Sequence, residues 1–205
     1  LQKIDDKYLI KKIDDEAGDN GTGRWMLNYG IELGSPLSML SSAMDNRFIS
    51  RFKTLRKEIS EMTKQRSKEY TIDINSLKKA YQFCKLINFI QAFCLINASN
   101  KKYGWNISIS KALNVWSNGS IIKSSQINDL YFNYSVENIL SDKEIIKDLN
   151  EYKPDIINVI LLSLRNDISI PCFAEALNYF NSISSNSLST KMIQAQRNFF
   201  GSHYI

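Results

Sequence analysis

Histidine occurs once, at position 203, and cysteine only three times, as Cys84, Cys94 and Cys172. The cysteines lack C-x-x-C spacing and each lies in an apolar run, so neither a zinc cluster nor a disulfide framework is expected. They read as reduced core thiols, the usual place of free cysteine. Glycine and proline are also scarce, at 8 and 3 in 205 residues, which disfavours a many-turned β architecture and points to long helices. No apolar run nears the roughly 20 residues a bilayer span needs, and no charged-then-apolar leader opens the chain. A cytoplasmic protein is therefore expected, with no membrane partner. No GK[ST] follows a glycine loop and no serine sits in a nucleophile-elbow setting, which removes a Walker-type site and argues against a Ser/His/Asp triad.

What is present is enough for a real core: 43% of residues are hydrophobic and 23% charged, consistent with one large domain or two small ones over residues 1–205. The net charge is +5, but the basic residues run from Lys3 to Arg197 and are mixed with acids. A nucleic-acid face needs a stripe of cations, so no nucleic-acid partner is expected. A small phosphorylated substrate needs only a few of them. The chain opens at Leu1 in a charged amphipathic stretch, as a domain excised from a longer protein does.

Periodicity predicts helices and no sheet, and the fold class is all-α. Residues 5–17 are expected to be helical, running into the glycine-dense stretch Gly18-Asp19-Asn20-Gly21-Thr22-Gly23. Trp25 to Leu33 reads as a helix closed by Gly34, with Ser35-Pro36 capping the next. That helix carries Leu37, Leu40, Met44 and Phe48 on one face and is expected to continue toward Met62. Asn75 reads as the N-cap of a helix of about 22 residues through Ala80, Cys84, Ile87, Gln91 and Cys94. The segments 37–62 and 75–97 are expected to pair. Further helices are expected at 107–116, 119–130, 134–148, 154–164, from Pro171 through Phe180, and from Lys191 to Phe200.

Three features carry candidate chemistry. The Gly18–Gly23 loop precedes a helix, so it is either a plain turn and cap or an anion cradle aided by the Thr22 hydroxyl. Arg47 borders an apolar helix face, where it either snorkels or serves a pocket. The terminal stretch Gln194 to His203 combines Arg197, amides, Phe199, Phe200 and the lone histidine. It is either an ordinary frayed helix end, or a site in which Arg197 grips phosphate or carboxylate and His203 adds a hydrogen bond.

Taken together, these segments resemble the C-terminal domain of the decarboxylating 6-phosphogluconate dehydrogenases. Ala17 to Trp25 is similar to that family's AGQKGTGKW loop, and Leu33-Gly34-Ser35-Pro36-Leu37 to its GVP segment, followed by the arginine-bearing helix of Arg47. Phe89-Ile90-Gln91-Ala92-Phe93 resembles YAQGF. Gly104-Trp105, Val115-Trp116 and Gly119 to Ser124 resemble GW…MW…GCIIRS. Ile168 to Leu177 resembles IPxPxFxxAL, and Ile193 to His203 resembles LIQAQRDYFGAH.

The resemblance implies a multihelical substrate-binding and dimerisation domain with long central helices, residues 196–205 starting a C-terminal tail. It implies that the parent enzyme uses NADP, and no metal, to convert 6-phosphogluconate to ribulose 5-phosphate in the pentose phosphate pathway. It further implies that Asn20, Gly21, Thr22 and Arg47 bind the substrate, with Arg197 and His203 reaching that site from the other subunit of a homodimer. The Rossmann domain and the catalytic base and acid are expected upstream of Leu1. Two departures stand out: Asn20 where the family has lysine, and Ser117 where it has arginine near Trp116. With Asn20, either substrate affinity falls or a neighbour such as Arg24 compensates. The alternative is a degenerate relative serving as a non-catalytic dimerisation module.

Overall fold

The computed structural model describes residues 3–4, 7–63, 70–120, 122 and 136–201. The all-α expectation holds: eight α-helices dominate the described residues, and the only strands among them are the two-residue pair β1 (Lys3–Ile4) and β2 (Lys7–Tyr8), antiparallel with Lys3 opposite Tyr8. The helix expected at 5–17 is absent from its described part. A 3-10 turn at Leu9–Lys12 leads instead into an extended run, because the acids at 14–16 pair with Lys53 and Arg56 far along the chain and not with helical neighbours.

Helix α1 spans Thr22–Glu32, α2 Ser38–Ser50 and α3 Lys53–Met62. Ser35 and Pro36 do not start α2; they lie in the turn before it, and Leu37 is its N-cap. The continuous helix expected from 37 to 62 is broken at Arg51 and Phe52. The Arg56 guanidinium donates to the Ser50 carbonyl at 3.0 Å, satisfying an acceptor that a helix end leaves orphaned.

Helix α4, Ile74–Tyr103, is the axis of the domain. Its 30 residues exceed the expected 22, and Asp73, not Asn75, is the cap: its carboxylate accepts the Asn75 and Ser76 N–H groups at 3.1 Å each. Gly104, at φ +66°, ends it. At about 1.5 Å per residue it is roughly 45 Å long.

Around it stand α5 (Ile109–Gly119), α6 (Lys143–Arg165) and α7 (Pro171–Ile183). The expected helix at 119–130 lies almost wholly outside the described residues. The expected pair 134–148 and 154–164 is one helix, α6, preceded by a 3-10 turn at Val136–Ser141 and passing through Pro154 without a break. The ring costs one backbone donor. Packing offsets that loss, since Ile145, Leu149, Ile156 and Val159 of α6 bury themselves in the same core as α4.

That core joins Phe83, Ile87, Ile90 and Phe93 of α4 to Leu113 of α5 and to Ala176, Tyr179 and Phe180 of α7. Each fully buried side chain of this size contributes about 1.5–3 kcal/mol. Phe83 meets Phe180 edge-on at 5.5 Å, and Trp116 stacks on Phe93 at 5.8 Å. The expected pairing of 37–62 with 75–97 is replaced: α4 packs chiefly on α6 and α7, while α2 lies on α7 and reaches α4 through Gln91. Gln91, 1% exposed, accepts the Met39 N–H at 3.3 Å and donates to the Ser38 hydroxyl at 3.1 Å. A side chain of the central helix thereby caps α2.

The three cysteines are free, Cys84 buried and the others half-buried. Helix α8, Lys191–Gly201, buries no residue, leaving Met192, Ile193, Phe199 and Phe200 exposed. No helix of the described residues is long and apolar enough to cross a membrane.

Candidate functional site

The glycine loop is built by local chemistry before any ligand enters. Gly21 sits at φ +84°, a left-handed conformation in which a side chain is strained, and it serves as the N-cap of α1 without a side-chain cap. The Asp19 carboxylate accepts the Gly21 N–H at 3.0 Å, closing an Asx turn. One donor of the expected backbone cradle is therefore already used. The amides of the first turn of α1, starting at Thr22, keep the orphan character of any helix start.

Gly23 governs how closely α1 approaches α2. A Cβ there would stand 2.7 Å from the Met44 sulfur, so glycine lets the two helices meet without displacing that side chain. That approach sets Arg47, one turn beyond Met44 on α2, against the loop, where its guanidinium donates to the Gly18 carbonyl at 2.5 Å. Asn20 and Thr22 are exposed beside it. Asn20, Gly21, Thr22 and Arg47 are thus brought together.

The run before the loop is strapped to the α2–α3 elbow. The Ala17 N–H donates to Ser50 Oγ at 3.0 Å, Arg56 holds Asp15 bidentately at 2.7 and 3.0 Å, and Lys53 pairs with Asp14. Asp19 accepts Arg51 at 2.6 Å and Arg24 at 3.0 Å, its side chain only 6% exposed. Arg51 holds the Asp19 carboxyl below the ordinary carboxylate range, helped by the Gly21 N–H and Arg24. Arg56 does the same for Asp15, and Lys53 for Asp14.

Sequence reasoning missed Asp19 and Arg51. Two signals pointed to them: aspartate two residues before a glycine favours an Asx turn, and Arg51 lies four residues after Arg47, on the same helical face. Arg24, the expected compensator for position 20, is engaged by Asp19. Ser117 donates to its own helix at the Asn114 carbonyl, 2.9 Å away. Arg197 is exposed on α8 and has no hydrogen bond or ion pair to the loop among the described residues. His203 lies outside the described residues.

Residues 1–205 match the family model described as 6-phosphogluconate dehydrogenase, C-terminal domain. The chain belongs to this family. A decarboxylating 6-phosphogluconate dehydrogenase of Buchnera aphidicola from Acyrthosiphon pisum is 32% identical over 96% of this chain and 44% of its own length. One from Lactococcus lactis, strain IL1403, is 29% identical over 99% of this chain and 45% of its own. Among solved structures, the 6-phosphogluconate dehydrogenase of Plasmodium falciparum, determined apo, with its cofactor NADP+ and with its substrate 6-phosphogluconate, superposes with a TM-score of 0.85 at 30% identity. That match covers 96% of this chain and 44% of the Plasmodium one, so the chain spans under half the length of these 6-phosphogluconate dehydrogenases.

Proposed function

We propose that this chain is the substrate-gripping and dimer-forming part of an NADP-dependent enzyme that oxidises 6-phosphogluconate, releases CO2 and yields ribulose 5-phosphate. The observation that carries the reading is the Arg47 guanidinium at the Gly18 carbonyl, beside the uncapped start of α1 and the exposed Thr22 hydroxyl. Helix-start amides, a hydroxyl and a planar guanidinium together suit a phosphate monoester. Asn20 and Gly21 shape the loop around it.

Arg197 and His203 complete the pocket from a second subunit. Support comes from α8, which presents four large apolar side chains and has no fully buried residue, as a helix docking on a partner does. The chain spans under half the length of the 6-phosphogluconate dehydrogenases it matches, and NADP falls to the part it does not span. Hydride acceptance is what NADP supplies when bound. The residues of this chain bind and orient the phosphate end.

The test is NADPH absorbance when full-length protein meets 6-phosphogluconate and NADP, with Arg47→Ala beside wild type. Wild type is expected to form NADPH, and Arg47→Ala to raise KM at least about tenfold by losing one charge-assisted contact. The competing reading, a non-catalytic dimerisation module, draws on Asn20 and Ser117 where the resemblance expects cations. No NADPH from the wild-type full-length protein would remove the enzyme reading.

A further inference from the structure

Three guanidiniums converge on one short loop. Arg47 reaches the Gly18 carbonyl, and Arg24 and Arg51 both reach the Asp19 carboxylate. Asp19 is engaged on both oxygens: Oδ1 takes the Gly21 N–H and Arg24 at 3.0 Å each, and Oδ2 takes Arg51 at 2.6 Å. Such a carboxylate is a holder, not a base. Each guanidinium carries five donors, and one carboxylate can occupy only some of those on two arginines. Their side chains remain 58% and 42% exposed, so donors still face solvent beside the loop. Phe48 steadies Arg51 further, its ring 5.5 Å from the guanidinium carbon.

Charge leads to the same place. Three arginines less one aspartate leave the loop with a surplus of two positive charges, although position 20 itself is neutral. The two charges left over suit a dianionic phosphate next to the loop.

We propose that Arg51 is a further substrate-phosphate-binding residue, and that Asp19 is the positioning carboxylate which holds Arg51 and Arg24 at the loop. The phosphate is then gripped by guanidiniums where an ammonium at position 20 is lacking. The inference rests on the function proposed above and adds residues to that same site.

Steady-state kinetics of the full-length protein with 6-phosphogluconate test it. Arg51→Ala is expected to raise KM about tenfold with kcat within about twofold, the signature of lost ground-state binding. Arg51→Lys keeps charge but not the planar fork and should fall between. Asp19→Asn, with both arginines still present, should also raise KM. Adding Asn20→Lys to Arg51→Ala should bring KM back most of the way, a rescue that a purely structural arginine would not show. Lys147→Ala removes one charge from α6, where Lys147 pairs with Glu144, and should leave KM unchanged. If wild type turns over and Arg51→Ala and Asp19→Asn leave KM unchanged, the inference falls while the function stands. Loss of helical circular dichroism in Arg51→Ala without rescue by Asn20→Lys also overturns it. A wild type that forms no NADPH removes both.

Discussion

Gln91 offers the sharpest test of how the arginine-bearing helix is held. Replacing it with methionine keeps the volume and removes the amide, so the Met39 N–H and the Ser38 hydroxyl both lose their partner. Ser38 is half-buried and its hydroxyl can turn toward water, whereas Met39 is 8% exposed and its N–H is stranded. An unsatisfied buried donor costs about 1–3 kcal/mol, and the bond lost is long at 3.3 Å, which places the expected loss at about 1–2 kcal/mol. For a chain of this length each kcal/mol moves Tm by about 2–4 °C, so a drop of about 2–8 °C is expected. Gln91→Ala should cost about 2 kcal/mol more, because it also opens a cavity at a position only 1% exposed. Urea and thermal unfolding followed by circular dichroism read both variants. A Gln91→Met protein as stable as wild type would show that the cap on α2 has no net weight and that packing alone seats the helix.

Two further outcomes follow from the same frame. Asp73→Ala removes the side-chain cap of α4 and should lower stability by about 1 kcal/mol in urea unfolding, with Asp73→Asn largely spared. Burial pushes the Cys84 thiol up to about 12 from an ordinary value near 9.0, so the folded state retains a proton there that the unfolded chain releases. Stability linked to this thiol is complete below pH 9 and erodes as pH rises from there toward 12. The urea midpoint of wild type should therefore fall more between pH 8.5 and 10.5 than that of Cys84→Ala, and thiol-reagent labelling of native Cys84 at about pH 8 should be far slower than in denaturant.

The helices with strong periodicity were legible because their patterns report burial directly: Ala80, Cys84, Ile87 and Gln91 do line the core face of α4. Boundaries were less so. Asn75 looked like a cap by residue type, yet Asp73 has the geometry. The break between α2 and α3 left no mark on the apolar pattern; the contacts made there, Asp19 with Arg51 and the Ser50 carbonyl with Arg56, exist only after folding. The run at 13–17 went astray for the same reason, its acids being claimed by α3. Of the candidate site, the loop and Arg47 were singled out by the family resemblance, while the Asp19–Arg51 pair joins residues 32 apart and needed the fold to be seen.

The central column of α4 has a consequence for how this domain tolerates change. Helices α5, α6 and α7 all bury side chains in one shared core with it, so damage there is felt throughout. The glycine turn, α3 and the terminal helix stand outside that column and bury almost nothing of their own. Under the function proposed above, much of the ligand contact falls to the turn, which can exchange one cation for another, lysine for a borrowed arginine, while the scaffold that carries it stays as it is.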